Sequence, residues 1–127
     1  MTTRHIAMLG IALATAPMVA GAATPLVWEE GGARVETVAY ACGAETPALE
    51  VAYFTAPDGS SFAALAMGGT LHALTQVVSG SGVRYADIDA EAGYLIHTKG
   101  DALLLLHQPP GGGEDELLAD CTAVEPR

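Results

Sequence analysis

Lys99 is the only lysine in a 127-residue chain that carries fifteen aspartates and glutamates. It stands in Tyr94-Leu-Ile-His-Thr-Lys-Gly-Asp-Ala102, at the end of a β-like run that breaks at Gly100-Asp101. Upstream lies Ser79-Gly-Ser-Gly-Val-Arg-Tyr85, with two Ser-Gly pairs in a row. An ammonium donates charge-assisted hydrogen bonds to a carboxylate, and a hydroxyl both donates and accepts. Such groups on turns suit contact with a partner. Arrangements for catalysis are missing. There is no phosphate-binding glycine loop and no Gly-x-Ser-x-Gly elbow. His72, His97 and His107 read as scattered strand residues on a polar face, and a turn at Gly100-Asp101 is expected to set His97 near Leu103, away from His107. A zinc site needs converging ligands, so no metal and no cofactor are expected. Glu114-Asp115-Glu116 reads as a solvated loop. The sequence offers no enzyme.

The elements that must hold these turns are strands. Arg34–Cys42 alternates Val35, Thr37, Ala39 and Ala41 against Glu36, Val38, Tyr40 and Cys42, the period of a half-buried strand. Further strands are expected over Ala48–Phe54, Ser61–Met67, Thr70–Val78, Val83–Asp87, Gly93–Lys99, Ala102–His107 and Leu117–Val124. Turn signals separate them: Gly43–Pro47, Ala56-Pro-Asp-Gly-Ser60, Gly68-Gly69, Ser79–Gly82, an acidic turn at Ile88–Gly93, Gly100-Asp101 and the polar, flexible Gln108–Glu116. Ala63–His72 is rich in alanine and leucine, but Gly68-Gly69 cuts any helix there. Eight short strands with hairpin links predict an all-β fold, a small eight-stranded antiparallel barrel, whose closure removes exposed edges. Side chains nearly fill a barrel of that size, so no large ligand cavity is expected.

Residues 1–23 read as a signal peptide: Arg4 and His5, an apolar run from Ile6 to Val19 broken by Pro17, then Ala20-Gly-Ala22, with cleavage after Ala22 or Ala23. The run is short for a membrane span, which takes about 20 apolar residues. The first cysteine is Cys42, so no lipid-modified cysteine follows the run and no membrane anchor is expected. Residues 24–34 form an N-terminal arm without a clear period, and residues 35–127 the barrel domain. The arm holds Trp28, the single tryptophan, either packed on the domain or exposed.

From Thr24 onward, Arg34, Arg84, Lys99 and Arg127 face fifteen carboxylates, a net charge of −11 with neutral histidines. That field keeps a secreted protein soluble, repels nucleic acid and anionic lipid, and speeds encounters with basic partners. Cys42 and Cys121 lie near the two ends of the domain. In an oxidising compartment they are expected to form one disulfide that closes the barrel.

The order Tyr40-x-Cys42, Leu49-x-Val51-x-Tyr53, Ser81-Gly82-x-x-Tyr85, Tyr94-x-x-x-x-Lys99-Gly100-Asp101 and Cys121 resembles the MliC/PliC family of bacterial inhibitors of C-type lysozyme, over about residues 38–123. The resemblance implies an eight-stranded antiparallel barrel in the periplasm or on the membrane. It implies that Ser81 and Lys99 enter the lysozyme cleft and contact its two catalytic carboxyl groups. Register to Tyr85 favours Ser81 over Ser79 as the acting serine. Gly82, Tyr85, Tyr94 and Gly100 would support the two turns, and Arg84 would sit at the rim. His97 departs from the family pattern, which often has an aromatic before the lysine. The alternative is a small-ligand-binding or structural barrel of the envelope. A homodimer is compatible with the sequence.

Overall fold

The computed structural model describes residues 26–43, 49–89 and 93–124. The signal-peptide assignment, most of the Gly43–Pro47 turn and part of the acidic turn at 88–93 lie outside the described residues. Nine strands are described: β1 Val27–Glu30, β2 Ala33–Ala41, β3 Leu49–Thr55, β4 Ser61–Met67, β5 Thr70–Val77, β6 Val83–Asp87, β7 Gly93–Lys99, β8 Ala102–Gln108 and β9 Asp115–Ala123. Each pairs antiparallel with the next, and β2 also pairs with β9. The barrel is therefore β2–β9, eight strands as the turn spacing predicts, and β1 is an extra strand within the expected arm.

Strand alternation decides what fills the barrel. Val38 and Tyr40 on β2, Val51 and Tyr53 on β3, Ala63 and Leu65 on β4, and Leu74 on β5 point inward. Tyr85, Ile96, Leu103, Leu105 and Cys121 complete the core from β6 to β9. Tyr40, Leu65, Leu74, Ile96 and Leu105 are wholly buried. A buried tyrosine needs a partner for its hydroxyl. Tyr40 and Tyr53 bond each other through their hydroxyls at 2.9 Å, and Tyr85 bonds Ser61 Oγ at 2.9 Å.

The closing seam is short. β9 meets β2 at Tyr40↔Ala123 and Ala41↔Thr122, and the Val124 N–H donates to the Ala39 carbonyl at 2.9 Å. The Cys42–Cys121 disulfide staples that seam across 79 residues of chain. Beyond it, β1 covers the rest of the β2 edge, with Trp28 opposite Val35 and a Thr37 N–H to Leu26 carbonyl bond of 2.9 Å. An open edge is a template for unwanted strand pairing, and β1 covers this one, leaving only its own four residues as the terminal strand.

The 109–114 segment reads from sequence as a flexible loop. It is held across the outside of the barrel, because Glu114 pairs with Arg84 on the outer face of β6. On β7 and β8, Leu95 and Leu106 oppose each other on the outer face and are 2% and 8% exposed. These two leucines form a second apolar layer outside the barrel core.

Candidate partner-binding site

The turns holding Ser81 and Lys99 lie at one end of the barrel, on neighbouring hairpins. β6 pairs with β7 through Val83↔Thr98, which brings the 79–82 turn beside the end of β7. The contact is tight: Gly82 has φ +62, and a Cβ there would meet the Thr98 carbonyl oxygen at 2.3 Å. Only glycine allows the backbone so close in that conformation. Two more bonds fix the turn by its backbone. The Ser79 hydroxyl donates to the Ser81 carbonyl at 2.6 Å, and His97 Nε2 lies 2.8 Å from the same oxygen. His97 thus latches the turn, a role the sequence reading missed; its position before Lys99, one strand from the Ser-Gly pairs, was the available signal. Ser81 itself is exposed.

Lys99 is exposed, opposite Ala102 across Gly100-Asp101. The other two described cations are engaged. Arg34 pairs with Glu29 and Glu36, and Arg84 with Glu114. The hydrogen bonds that Arg34 donates to Glu29, then to Glu36, hold its guanidinium above its ordinary range. Among the described residues Lys99 has no ion-pair partner, although the chain is strongly acidic.

The remaining expected supports separate. Gly100 has φ +58 with open space around it, so it serves the turn alone. Tyr85 is in the core with its hydroxyl on Ser61 of β4, not on the 79–82 turn. Tyr94 lies five residues down β7 from Lys99, roughly 16 Å at strand rise, towards the other end of the barrel. There its ring meets His72 edge-on and His107 at a tilt, at centroid distances of 4.6 and 5.6 Å. His72 and His107 are therefore gathered about Tyr94 and are not scattered. His97 lies opposite Leu104, one residue from the expected Leu103, because Lys99 pairs directly with Ala102. Among the described residues no three His, Cys, Asp or Glu side chains converge as a metal set.

At the same end, Arg34, Glu36, Tyr53, Thr55, Val83, Tyr85 and Thr98 line a polar recess of about 140 Å³. Below it the lumen is closed by the core.

Fold and turns together define a small, disulfide-closed antiparallel barrel domain that presents, at one end, a cation with no ion pair among the described residues. The sequence matches, over residues 40–108, the family described as membrane-bound lysozyme-inhibitor of c-type lysozyme (MliC), and the chain belongs to that family. It is similar in fold to the periplasmic lysozyme inhibitor of C-type lysozyme from Salmonella typhimurium, with a TM-score of 0.60 and 21% identity, over 71% of this chain and 98% of that one. No curated protein matches the chain.

Proposed function

We propose that this chain inhibits a C-type lysozyme by placing the Ser81 hydroxyl and the Lys99 ammonium in the enzyme's cleft. The observation that carries this reading is Lys99 itself, an exposed cation without an ion pair among the described residues, beside a backbone-locked serine turn. Membership of the MliC family supports the partner. A retaining glycosidase of this type works with one protonated and one ionised carboxyl group. The ammonium pairs with the ionised one. The hydroxyl bonds the other in either protonation state. Substrate is excluded, and both groups are held in unproductive hydrogen bonds. The inhibitor acts by occupying the site and catalyses nothing.

The rest of the chain fits that task. Residues 1–23 direct export and are removed, residues 24–34 contribute the arm that includes β1, and residues 35–127 are the inhibitory barrel, soluble in the periplasm. A net charge of −11 favours a basic enzyme through fast, salt-sensitive encounter. The test is a cell-wall turbidity assay with the purified mature protein, Ser81→Ala and Lys99→Ala. The wild type should block lysis, and Lys99→Ala should lose most of that effect while keeping the wild-type melting curve. Full inhibition by a folded Lys99→Ala protein would sink the mechanism.

A further inference from the structure

The outer face of β1–β5 is an apolar sheet surface uncovered among the described residues. Cross-strand pairing lines up Trp28, Val35, Phe54 and Phe62 as one row. Trp28, Phe54 and Phe62 are 48%, 40% and 42% exposed, so the row is a ridge of aromatic rings in water. Beside it runs a groove of about 280 Å³ whose outward side chains include Ala39, Ala52, Ala64 and Ala66, with Leu71 at its far side, 71% exposed. Glu50 is the only charged residue lining it. Against the net charge of −11 on residues 24–127 that is a marked local depletion of charge. Contiguous apolar patches of this kind mark association surfaces.

We infer that this face binds a second copy of the same chain, the ridge of each copy seated in the groove of the other about a two-fold axis. A two-fold interface must be self-complementary, and a ridge flanked by a parallel groove meets that condition. Sheets pack face to face about 10 Å apart, which alanine rows permit. Five strands at about 4.8 Å and three rows at about 6.8 Å give roughly 500 Å² of flat sheet before side-chain relief. That is below the roughly 800 Å² per partner of standard interfaces and falls in the class of weak, reversible ones. An anionic membrane is a poorer occupant, since the acidic chain is repelled by it and the nearby Arg34 is held by Glu29 and Glu36. Ser81 and Lys99 lie on the β5–β6 and β7–β8 turns, so face-to-face pairing leaves both sites open. The inference does not depend on the inhibitory reading.

Two acidic copies repel each other, so this association strengthens with salt, the reverse of attraction to a basic enzyme. Sedimentation equilibrium of the mature protein tests it, from about 1 to 200 μM, at low salt and at about 0.5 M salt. The wild type should pass from one chain to two across that range, with the midpoint at least about threefold lower in high salt. Ala64→Glu should remain a single chain throughout. Leu71→Glu, at a site open to solvent, should do the same if Ala64→Glu fails to fold. A wild type that stays a single chain at the highest concentration and salt overturns the inference. So does undiminished pairing in both variants. So does capture of single chains by phosphatidylcholine vesicles, lost in Leu71→Glu, with no pairing in their absence.

Discussion

The Cα of Gly82 faces the carbonyl oxygen of Thr98 so closely that an added Cβ would lie 2.3 Å from it. The contact ties the serine turn to the strand that ends in Lys99. Gly82→Ala meets two penalties, a φ of +62 and a clash with backbone that has no rotamer to yield. Strain of this kind costs about 1–3 kcal/mol. The variant should lose at least about 1 kcal/mol in urea unfolding and lose inhibition beyond what its folded fraction explains. Gly100→Ala, with similar φ but open space, should lose stability without that extra loss.

Ser79 and Ser81 are expected to differ in kind. The Ser79 hydroxyl is committed to the Ser81 carbonyl at 2.6 Å, whereas Ser81 is exposed. Ser79→Ala should destabilise by about 0.5–1.5 kcal/mol, the net worth of one hydrogen bond. Ser81→Ala should leave unfolding unchanged and weaken inhibition more strongly. Paired urea titrations and turbidity assays separate the two. Equal inhibition by Ser81→Ala and wild type would remove Ser81 from the proposed contact.

The Cys42–Cys121 bond spans 79 residues, and loop-closure entropy for that length is about 4–5 kcal/mol. It also lies where β9 meets β2 over only a short stretch. A Cys42→Ala/Cys121→Ala double variant should therefore be largely unfolded at 37 °C, with β9 the first strand to exchange its amide protons. Measured destabilisation below about 1 kcal/mol would mean that β1 and the remaining seam suffice.

Asp58 accepts a hydrogen bond from the Ser60 backbone N–H at 2.8 Å in the β3–β4 turn, and this bond, then its bond to the Ser60 side chain, holds the carboxyl below its ordinary range. A carboxyl with a depressed folded-state pKa stabilises above the unfolded pKa and loses that contribution as pH falls through the folded value. The stability gap between wild type and Asp58→Asn should be open at neutral pH and should close below about pH 4. Urea midpoints at a series of pH values check this. The gap should be small, because the side chain is fully exposed.

Much of this arrangement was legible in the sequence. Period-two alternation and Gly-bearing turns locate all eight barrel strands, because each strand has a wet and a dry face. β1 was not legible because all four of its residues are exposed, so no alternation marks it. The neighbouring turns of Ser81 and Lys99 follow from hairpin order, but the reason for Gly82 does not, since Thr98 belongs to another hairpin. Tyr94 and His107 are register partners within the β7–β8 hairpin, but His72 meets Tyr94 from β5, beyond β6, a relation that no single hairpin encodes. Nor does Pro109-Pro-Gly-Gly-Gly-Glu114 announce its partner, which lies 30 residues upstream at Arg84.

Leu106 and Leu71 both point out of the barrel by strand parity, yet one is buried and the other bare. We attribute the difference to the 109–114 strap, which Glu114 ties to Arg84 on β6. Leu106→Ala should therefore behave as a core truncation and cost about 2–4 kcal/mol. Leu71→Ala, measured at concentrations low enough to keep chains separate, should change stability by less than about 0.5 kcal/mol. Glu114→Gln removes the charge that holds the strap to Arg84. Exposed ion pairs contribute about 0–1 kcal/mol, so its effect on global stability should be slight. Its effect should instead appear locally, as faster amide exchange at Leu95 and Leu106 than in the wild type. Equal costs for the two leucine truncations would mean that the strap shields nothing.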